Sequence, residues 1–219
     1  TQFVMTYART GRVPEAIKLL ETQKGHDASL LRANLLQEKG LLLESETLLE
    51  DLSTTSPSPS VSLRLSRLKL RLGKFKEAGE LLTTLPADLP PTDALEKASI
   101  QGLIATFQGA PQEGATFLEP LVDAYPDYPE LEGKAASSLA LIYQKAGKTE
   151  EAKSLYLRSI ACAEENYSTK VLLNRLTNLG TLEQDINDYG SAILTYKRSI
   201  TLAKALNDTS ALLRSGLNL

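Results

Sequence analysis

The sequence has little of several residue types that build functional sites. Its 219 residues include no tryptophan, one histidine and one cysteine, and aromatic residues contribute only 5%. The single cysteine, Cys162, cannot form a disulfide within the chain. The single histidine, His26, leaves no second imidazole for a histidine-based zinc site. We therefore predict no metal site, a packing role for Cys162 and an ordinary position near a helix start for His26.

Charge of one sign and long apolar runs are also lacking. The net charge is −3 at pH 7, so no overall positive field would attract nucleic acid or an anionic membrane. The sequence has no apolar run long enough to span a membrane and no signal-peptide pattern. We therefore expect no nucleic-acid partner, no direct membrane insertion and a cytoplasmic location.

Motifs that carry enzyme chemistry are missing as well. The chain has no Gly-x-x-x-x-Gly-Lys-Ser/Thr loop, no Gly-x-Gly-x-x-Gly turn and no Gly-x-Ser-x-Gly elbow. Carboxylates such as Glu150 and Glu151 are numerous, but they fall at predicted turns and solvent faces. General acid–base catalysis needs groups that converge on one point. The sequence therefore predicts no catalytic residues and no cofactor.

What the sequence does have is an internal repeat rich in leucine and alanine, which favours helix over strand. The clearest copy recurs after 40 residues. The first copy contains Leu139, Ala140, Tyr143, Gly147, Glu151, Ala152, Tyr156 and Ser159, and the second contains Leu179, Gly180, Asp188, Tyr189, Ala192, Tyr196 and Ser199. This pattern resembles the tetratricopeptide repeat family, whose helix A carries Leu-Gly-x-x-Tyr and whose helix B carries Ala-x-x-x-Phe/Tyr-x-x-Ala.

Weaker copies appear when the Gly-x-x-x-Glu-Ala turn is aligned along the chain. The small residues of the second helices then fall at Ala16, Ser45, Ala78, Gly114, Ala152 and Ala192, with spacings that grow from 29 to 40 residues. The resemblance implies an all-α fold, an α-α superhelix in which antiparallel hairpins stack as a right-handed solenoid. We predict one solenoid over residues 1–219, with weak repeats over 1–130, clear repeats over 131–206 and a truncated repeat over 207–219. The later repeats should carry longer helices or longer loops, and we expect the chain to be a fragment of a longer one.

Three arginines fall on one side of a predicted helix. Arg64, Arg67 and Arg71 are spaced by three and four residues, which brings their side chains into one stripe. The resemblance places this stripe on the inner groove of the superhelix. Arginine grips carboxylates bidentately, so the stripe suits a partner with acidic groups. The alternative is a solvated helix face with acidic neighbours.

Asparagines recur at matching positions of the later repeats. Asn178 and Asn218 lie 40 residues apart, and Asn174 lies one turn before Asn178. An amide offers a donor and an acceptor together, so it can pair with the backbone of an extended peptide. This is similar to the asparagine-rich grooves of kinesin light chains; the alternative is ordinary polar surface. With a lysine from the preceding repeat, the predicted partner-binding set is Arg64, Arg67, Arg71, Lys134, Asn174, Asn178 and Asn218.

The sequence therefore favours a non-catalytic scaffold or adaptor that binds a protein or peptide segment in its groove. The alternative is a regulatory sensor within a larger bacterial signalling protein, where partner binding controls an attached catalytic or DNA-binding domain. Self-association through the open C-terminal repeat is a third interpretation, because Leu213, Leu217 and Leu219 would lack cover.

Overall fold

The computed structural model describes residues 12–23, 25–166, 168–206 and 208–217. These residues contain twelve α-helices, one 3-10 turn and no strand, so the all-α prediction is confirmed. The helices are α1 (Val13–Glu21), α2 (His26–Glu38), α3 (Leu42–Thr55), α4 (Pro59–Arg71), α5 (Phe75–Thr83), α6 (Pro91–Phe107), α7 (Pro111–Thr116), α8 (Pro129–Lys145), α9 (Thr149–Glu165), α10 (Thr169–Asp185), α11 (Tyr189–Ala205) and α12 (Thr209–Leu217), with the 3-10 turn at Glu119–Leu121.

The chain divides into two compact units, residues 1–100 and residues 101–219. Consecutive helices pack against one another from α1 to α5 and from α7 to α12, as the repeat pattern predicts. The prediction of one continuous solenoid over 1–219 stays a prediction. None of the described helices is long and apolar enough to cross a membrane.

The turn inside each hairpin is made by a residue with positive φ. Gly40, Gly73, Gly109 and Gly147 have φ between 75° and 90°, and Asn187 has φ of 61° in the corresponding turn. Glycine enters this left-handed region at no steric cost, and asparagine tolerates it. We call these five the turn residues and use them to align repeats. The helices before them (α2, α4, α6, α8 and α10) are A helices, and those after them (α3, α5, α7, α9 and α11) are B helices.

Unit 1 has a core of leucines with small residues at its hairpin contacts. Leu49, Leu65 and Leu68 are almost completely buried between α3 and α4. Ser66 on α4 donates from Oγ to the carbonyl oxygen of Ala78 on α5, at 2.7 Å. In the preceding hairpin the equivalent bond runs in the opposite direction, from the Oγ of Ser45 on α3 to the carbonyl oxygen of Ala33 on α2, at 3.0 Å. These bonds satisfy buried polar groups where two helices approach.

Unit 2 has longer helices, as the growing repeat spacing predicts. Each of α8, α9, α10 and α11 has 17 residues, whereas α7 has only six and is followed by the 3-10 turn. Tyr156 and Tyr196, the aromatic markers of the two clear repeats, are fully buried.

Small residues set the closest helix approaches in unit 2. A Cβ on Gly114 would lie 2.4 Å from the backbone oxygen of Gly102 on α6, and a Cβ on Gly180 would lie 2.7 Å from the ring of Tyr196. Both distances are shorter than any real Cβ contact, so these contacts require glycine. Glycine at positions 114 and 180 thus permits the close approach of neighbouring helices.

Candidate functional site

The three predicted arginines all lie on α4 and bond to other A helices. Arg64 donates from Nη1 to Oδ1 of Asn34 at 2.8 Å, and Arg71 donates from Nη1 to Oε1 of Gln37 at 2.9 Å. Both acceptors lie on α2, the preceding A helix. The guanidinium of Arg67 forms an ion pair with Glu96 on α6.

The stripe therefore contains two kinds of arginine. Arg67 is neutralised by a carboxylate, so for this residue the acidic-neighbour alternative describes the structure, and Arg67 is not a free cation. Arg64 and Arg71 are held by uncharged amides, and neither forms an ion pair with a carboxylate in the described part of the chain. Their positive charges are thus oriented without being cancelled.

The predicted asparagines of unit 2 lie on the exposed side of α10. Asn174 and Asn178 are one turn apart, and neither makes a hydrogen bond with any residue that the structure describes. Lys134 is half-buried on α8 and is engaged in an interaction of its own. Asn218 lies outside the described residues. The structure therefore leaves two of these four predicted side chains available to a ligand.

Two glutamines line the same A helices of unit 2 and were not predicted as site residues. The buried hydroxyl of Tyr156 donates to Oε1 of Gln144 at 3.0 Å, and the hydroxyl of Tyr196 donates to Oε1 of Gln184 at 3.4 Å. Burial raises the pKa of Tyr156, with a further contribution from Asp185, so its hydroxyl remains a neutral donor. The 40-residue recurrence of both pairs is the sequence signal that could have identified these glutamines.

An ion network lies between the second and third repeats of unit 1, where the B helix α3 packs against the A helix α4. We call such a contact between adjacent repeats a joint. The ammonium of Lys69, on α4, lies 2.7 Å from Glu50 Oε1, 2.6 Å from Glu77 Oε2 and 3.0 Å from Glu46 Oε1. Lys74 also binds Glu46, at 2.7 Å from Oε1, which it shares with Lys69, and at 2.9 Å from Oε2. Three carboxylates this close could in principle hold a metal ion, but the ammonium of Lys69 already lies among them.

The two buried members of this network stabilise each other's charged forms. Burial alone would lower the pKa of Lys69, but hydrogen bonds to Glu50, Glu77 and Glu46 outweigh it and raise the pKa. Burial would raise the pKa of Glu46, but hydrogen bonds from Lys74 and Lys69 lower it overall. The network is therefore a structural feature of the joint and needs both signs of charge.

The joint between α9, α10 and α11 in unit 2 carries the opposite charges. Counted from the turn residues, Glu183 takes the place of Lys69, Asp188 that of Lys74, and Lys153 that of Glu46. Lys153 pairs with Asp188 at 3.4 Å, and Glu183 is only 4% exposed. Equivalent joints of the two units thus have inverted polarity.

The remaining candidates have structural roles. Cys162 is buried on α9, and burial raises the pKa of its thiol, which fits the predicted packing role. A Cβ on Gly133 would lie 2.8 Å from Cys162 Cβ and 2.6 Å from the buried guanidinium of Arg175.

His26 begins α2, and its Nδ1 lies 3.1 Å from Oγ of Ser56. Leu213 is exposed on α12, the side chain of Leu217 is not described, and Leu219 lies outside the described residues.

These observations define a helical-repeat protein whose exposed A-helix faces carry polar side chains. A family profile described as tetratricopeptide repeat matches residues 132–205, the region of the two clear repeats. Residues 132–205 therefore match tetratricopeptide repeats, and the resemblance seen in the sequence is confirmed. A comparison with curated protein sequences found no match.

Several solved structures share the fold. A Rap protein complexed with competence and sporulation factor superposes with a TM-score of 0.74 at 10% identity, over 97% of this chain and 65% of that one. A thermophilic tetratricopeptide repeat protein from Thermus thermophilus gives 0.69 at 19% identity, over 88% and 97%. The signal transduction ATPase with a tetratricopeptide repeat sensor from Pyrococcus horikoshii gives 0.65 at 14% identity, over 96% and 36%. This chain thus spans only part of the Rap protein and of the ATPase.

Proposed function

We propose that this chain is a non-catalytic interaction scaffold that binds an extended segment of a partner protein on the A-helix face of unit 2. The observation that carries the proposal is the pair Asn174 and Asn178, two exposed amides one turn apart that have no partner within the described chain. Each amide supplies a donor and an acceptor, so together they can pair with the backbone of a bound segment whatever its side chains are. The tetratricopeptide repeat fold supports a protein or peptide partner.

Peptides selected from a random displayed library against the protein test this proposal. We expect the double change Asn174→Ala, Asn178→Ala to weaken binding of a selected peptide by about thirtyfold, because two hydrogen-bonding amides of about 1 kcal/mol each are lost. Isothermal titration calorimetry would measure the affinity. Asn166→Ala is the matched control, since Asn166 bonds to the carbonyl of Cys162 at the end of α9. Selected peptides that bind the double variant with unchanged affinity would contradict the proposal.

The A-helix face of unit 1 supports a preference for acidic groups. Arg64 and Arg71 keep their positive charges because Asn34 and Gln37 are neutral acceptors, whereas Arg67 is paired with Glu96. A carboxylate of the partner would gain a charge-assisted hydrogen bond at either of the first two arginines.

The matched variants Arg64→Gln with Arg71→Gln, and Arg67→Gln alone, test this preference. For selected peptides that contain Asp or Glu, we expect the double variant to lose about tenfold in affinity and most of its salt dependence. Arg67→Gln should retain affinity, because its guanidinium is already neutralised. Titrations at low and high salt, with thermal melts to confirm folding, would decide. Equal losses in both variants would show that the charge on this face does not bind the peptide.

A regulatory sensor is the second candidate function. It is favoured by the likeness to the Rap protein in complex with competence and sporulation factor and to the sensor region of the Pyrococcus horikoshii ATPase. The two candidates differ in what accompanies the repeats in the full-length gene product. An attached catalytic or DNA-binding domain whose activity changes when a groove peptide is added would favour the sensor.

Self-association through the C-terminal repeat remains a further proposal, supported by the exposure of Leu213. Sedimentation of this chain and of the full-length protein over a range of concentrations would test it.

A further inference from the structure

The joint between the fourth and fifth repeats, in unit 2, has glutamates at two of the three positions whose glutamates hold Lys69 in unit 1. Glu50 and Glu119 each lie ten residues after a turn residue, Gly40 and Gly109. Glu77 and Glu151 each lie four residues after the next turn residue. The two joints therefore place a pair of carboxylates at equivalent positions.

The side chain at the position that corresponds to Lys69 differs. Four residues before the turn residue, unit 1 has Lys69 and this joint has Tyr143. The hydroxyl of Tyr143 donates to Oε1 of Glu119 at 2.8 Å. Burial and the charges of Glu119 and Glu151 raise the pKa of Tyr143 to about 12, so the phenol stays neutral and supplies no positive charge. Glu151 forms no ion pair with any residue in the described ranges.

An open cleft lies at this position. Its volume is about 520 Å³. The helix α7 ends at Thr116, and the segment that follows it, with the 3-10 turn, lines one side of the cleft. Val122, Leu139 and Leu155 form apolar wall, and the charged residues that line the cleft are Glu119, Asp123, Glu150, Glu151 and Arg158. Four carboxylates and one guanidinium give the lining a net charge of −3.

The nearby cations do not bind Glu119 or Glu151. Arg158 is bound to Asp123 and Glu132, at 2.7 Å each. Lys148, which corresponds to Lys74 of unit 1, lies over the ring of Tyr143 at 4.7 Å rather than on a carboxylate. The carboxylates of Glu119 and Glu151 therefore face the cleft without an ammonium of the described chain between them.

We propose that this cleft binds the side chain of a lysine from a partner segment, with its ammonium between Glu119 and Glu151. The occupant is inferred from unit 1, where the equivalent carboxylates hold the ammonium of Lys69 at 2.7 and 2.6 Å. The methylene stem of the lysine would lie along Leu139 and Leu155, as amphipathic stems do on apolar surface. This site shares no residue with Asn174, Asn178, Arg64 or Arg71, so the two proposals can be tested separately.

The peptide acetyl-Leu-Lys-Leu-amide is the probe for the cleft. Added to ¹⁵N-labelled protein, it should cause saturable chemical-shift changes at Tyr143, Ser154 and Leu155. The same peptide with acetyllysine should cause none, because it lacks the ammonium. Replacing lysine by arginine should weaken binding, because the planar guanidinium differs in shape from the ammonium that unit 1 accommodates. Shifts of equal size with acetyllysine, or tighter binding of the arginine peptide, would overturn the assignment.

Variants of the two glutamates locate the effect. Glu119→Gln with Glu151→Gln should weaken binding of the lysine peptide by about tenfold or more, since both charge-assisted hydrogen bonds are lost. Glu165→Gln is the matched control at the far end of α9, and it should bind as the parent protein does. Unchanged affinity in the double variant would overturn the proposal even if the peptide binds elsewhere.

Tyr143→Lys provides a second measurement. This change would place the chain's own ammonium between Glu119 and Glu151, as Lys69 lies in unit 1, and should abolish peptide binding. We expect the melting temperature to stay at or above that of the parent protein. A variant that folds and still binds the lysine peptide with unchanged affinity would contradict the proposal, and if it fails to fold, the glutamate variants decide alone.

Discussion

Replacing Lys69 with methionine is expected to lower the free energy of unfolding by about 3 kcal/mol, the lower end of the cost of breaking a buried ion pair. Methionine can fill much of the volume, but Glu46, which is 5% exposed, would keep its charge with only Lys74 as a partner. The lower end applies because Glu50 and Glu77 are half-exposed and can be solvated. Urea denaturation monitored by circular dichroism would measure the loss.

Lys76→Met is the matched control for that change. Lys76 lies on the next helix and pairs with Glu80 at 3.9 Å, and both side chains are largely exposed. Such a surface pair contributes less than about 0.5 kcal/mol. If the two variants lose the same stability, the Lys69 network is not the structural feature described above.

The difference in stability between the parent protein and Lys69→Met should depend on pH at both extremes. The pKa of Glu46 is lowered in the folded protein, so its contribution is present above its unfolded value of about 4.3 and is lost as the pH falls through the folded value. The pKa of Lys69 is raised, so its contribution is present below about 10.4 and is lost as the pH rises through the folded value. Urea midpoints of both proteins across this range should converge in acid and in strong alkali.

Replacing Gly114 with alanine is expected to cost about 2 kcal/mol of unfolding free energy. The added Cβ would lie 2.4 Å from the backbone oxygen of Gly102, and a backbone oxygen cannot move without displacing α6. Overpacking of this kind costs about 3 kcal/mol at the upper end of its range, and the higher helix propensity of alanine returns about 1 kcal/mol. Thermal and chemical unfolding would measure the net loss.

Gly79→Ala is the control for that substitution. Gly79 lies inside α5, and a Cβ added there would meet no atom within 4 Å. Alanine should therefore stabilise the protein by up to about 1 kcal/mol through helix propensity alone. A Gly114→Ala protein as stable as its parent would show that α6 and α7 can separate without cost.

The positions of the repeats could be predicted because they depend on residues that are close together in the sequence. Ala152 and Ala192 recur with the tyrosines that follow them, and the structure buries all four. Spacing alone also places Arg64 and Arg71 on one side of α4. These features depend only on residues that share a helix or a hairpin.

The contacts between repeats could not be predicted in this way. Lys69 lies between Arg67 and Arg71 in a basic stretch that resembles a solvated helix face. Its burial depends on Glu46 and Glu77, which come from two other helices. The local sequence carries no sign of this, because the charges that decide it are brought together only by stacking.

The inverted charges of the two joints have a consequence for the order in which repeats can assemble. If the helix that carries Lys69 were stacked on α9, its ammonium would meet Lys153, and if α10 were stacked on α3, Glu183 would meet Glu46. Like charges enclosed in such a joint are strongly unfavourable. An exchange of neighbours between these two joints, within one chain or between two chains during folding, is therefore disfavoured, because their charges are complementary only in the native order.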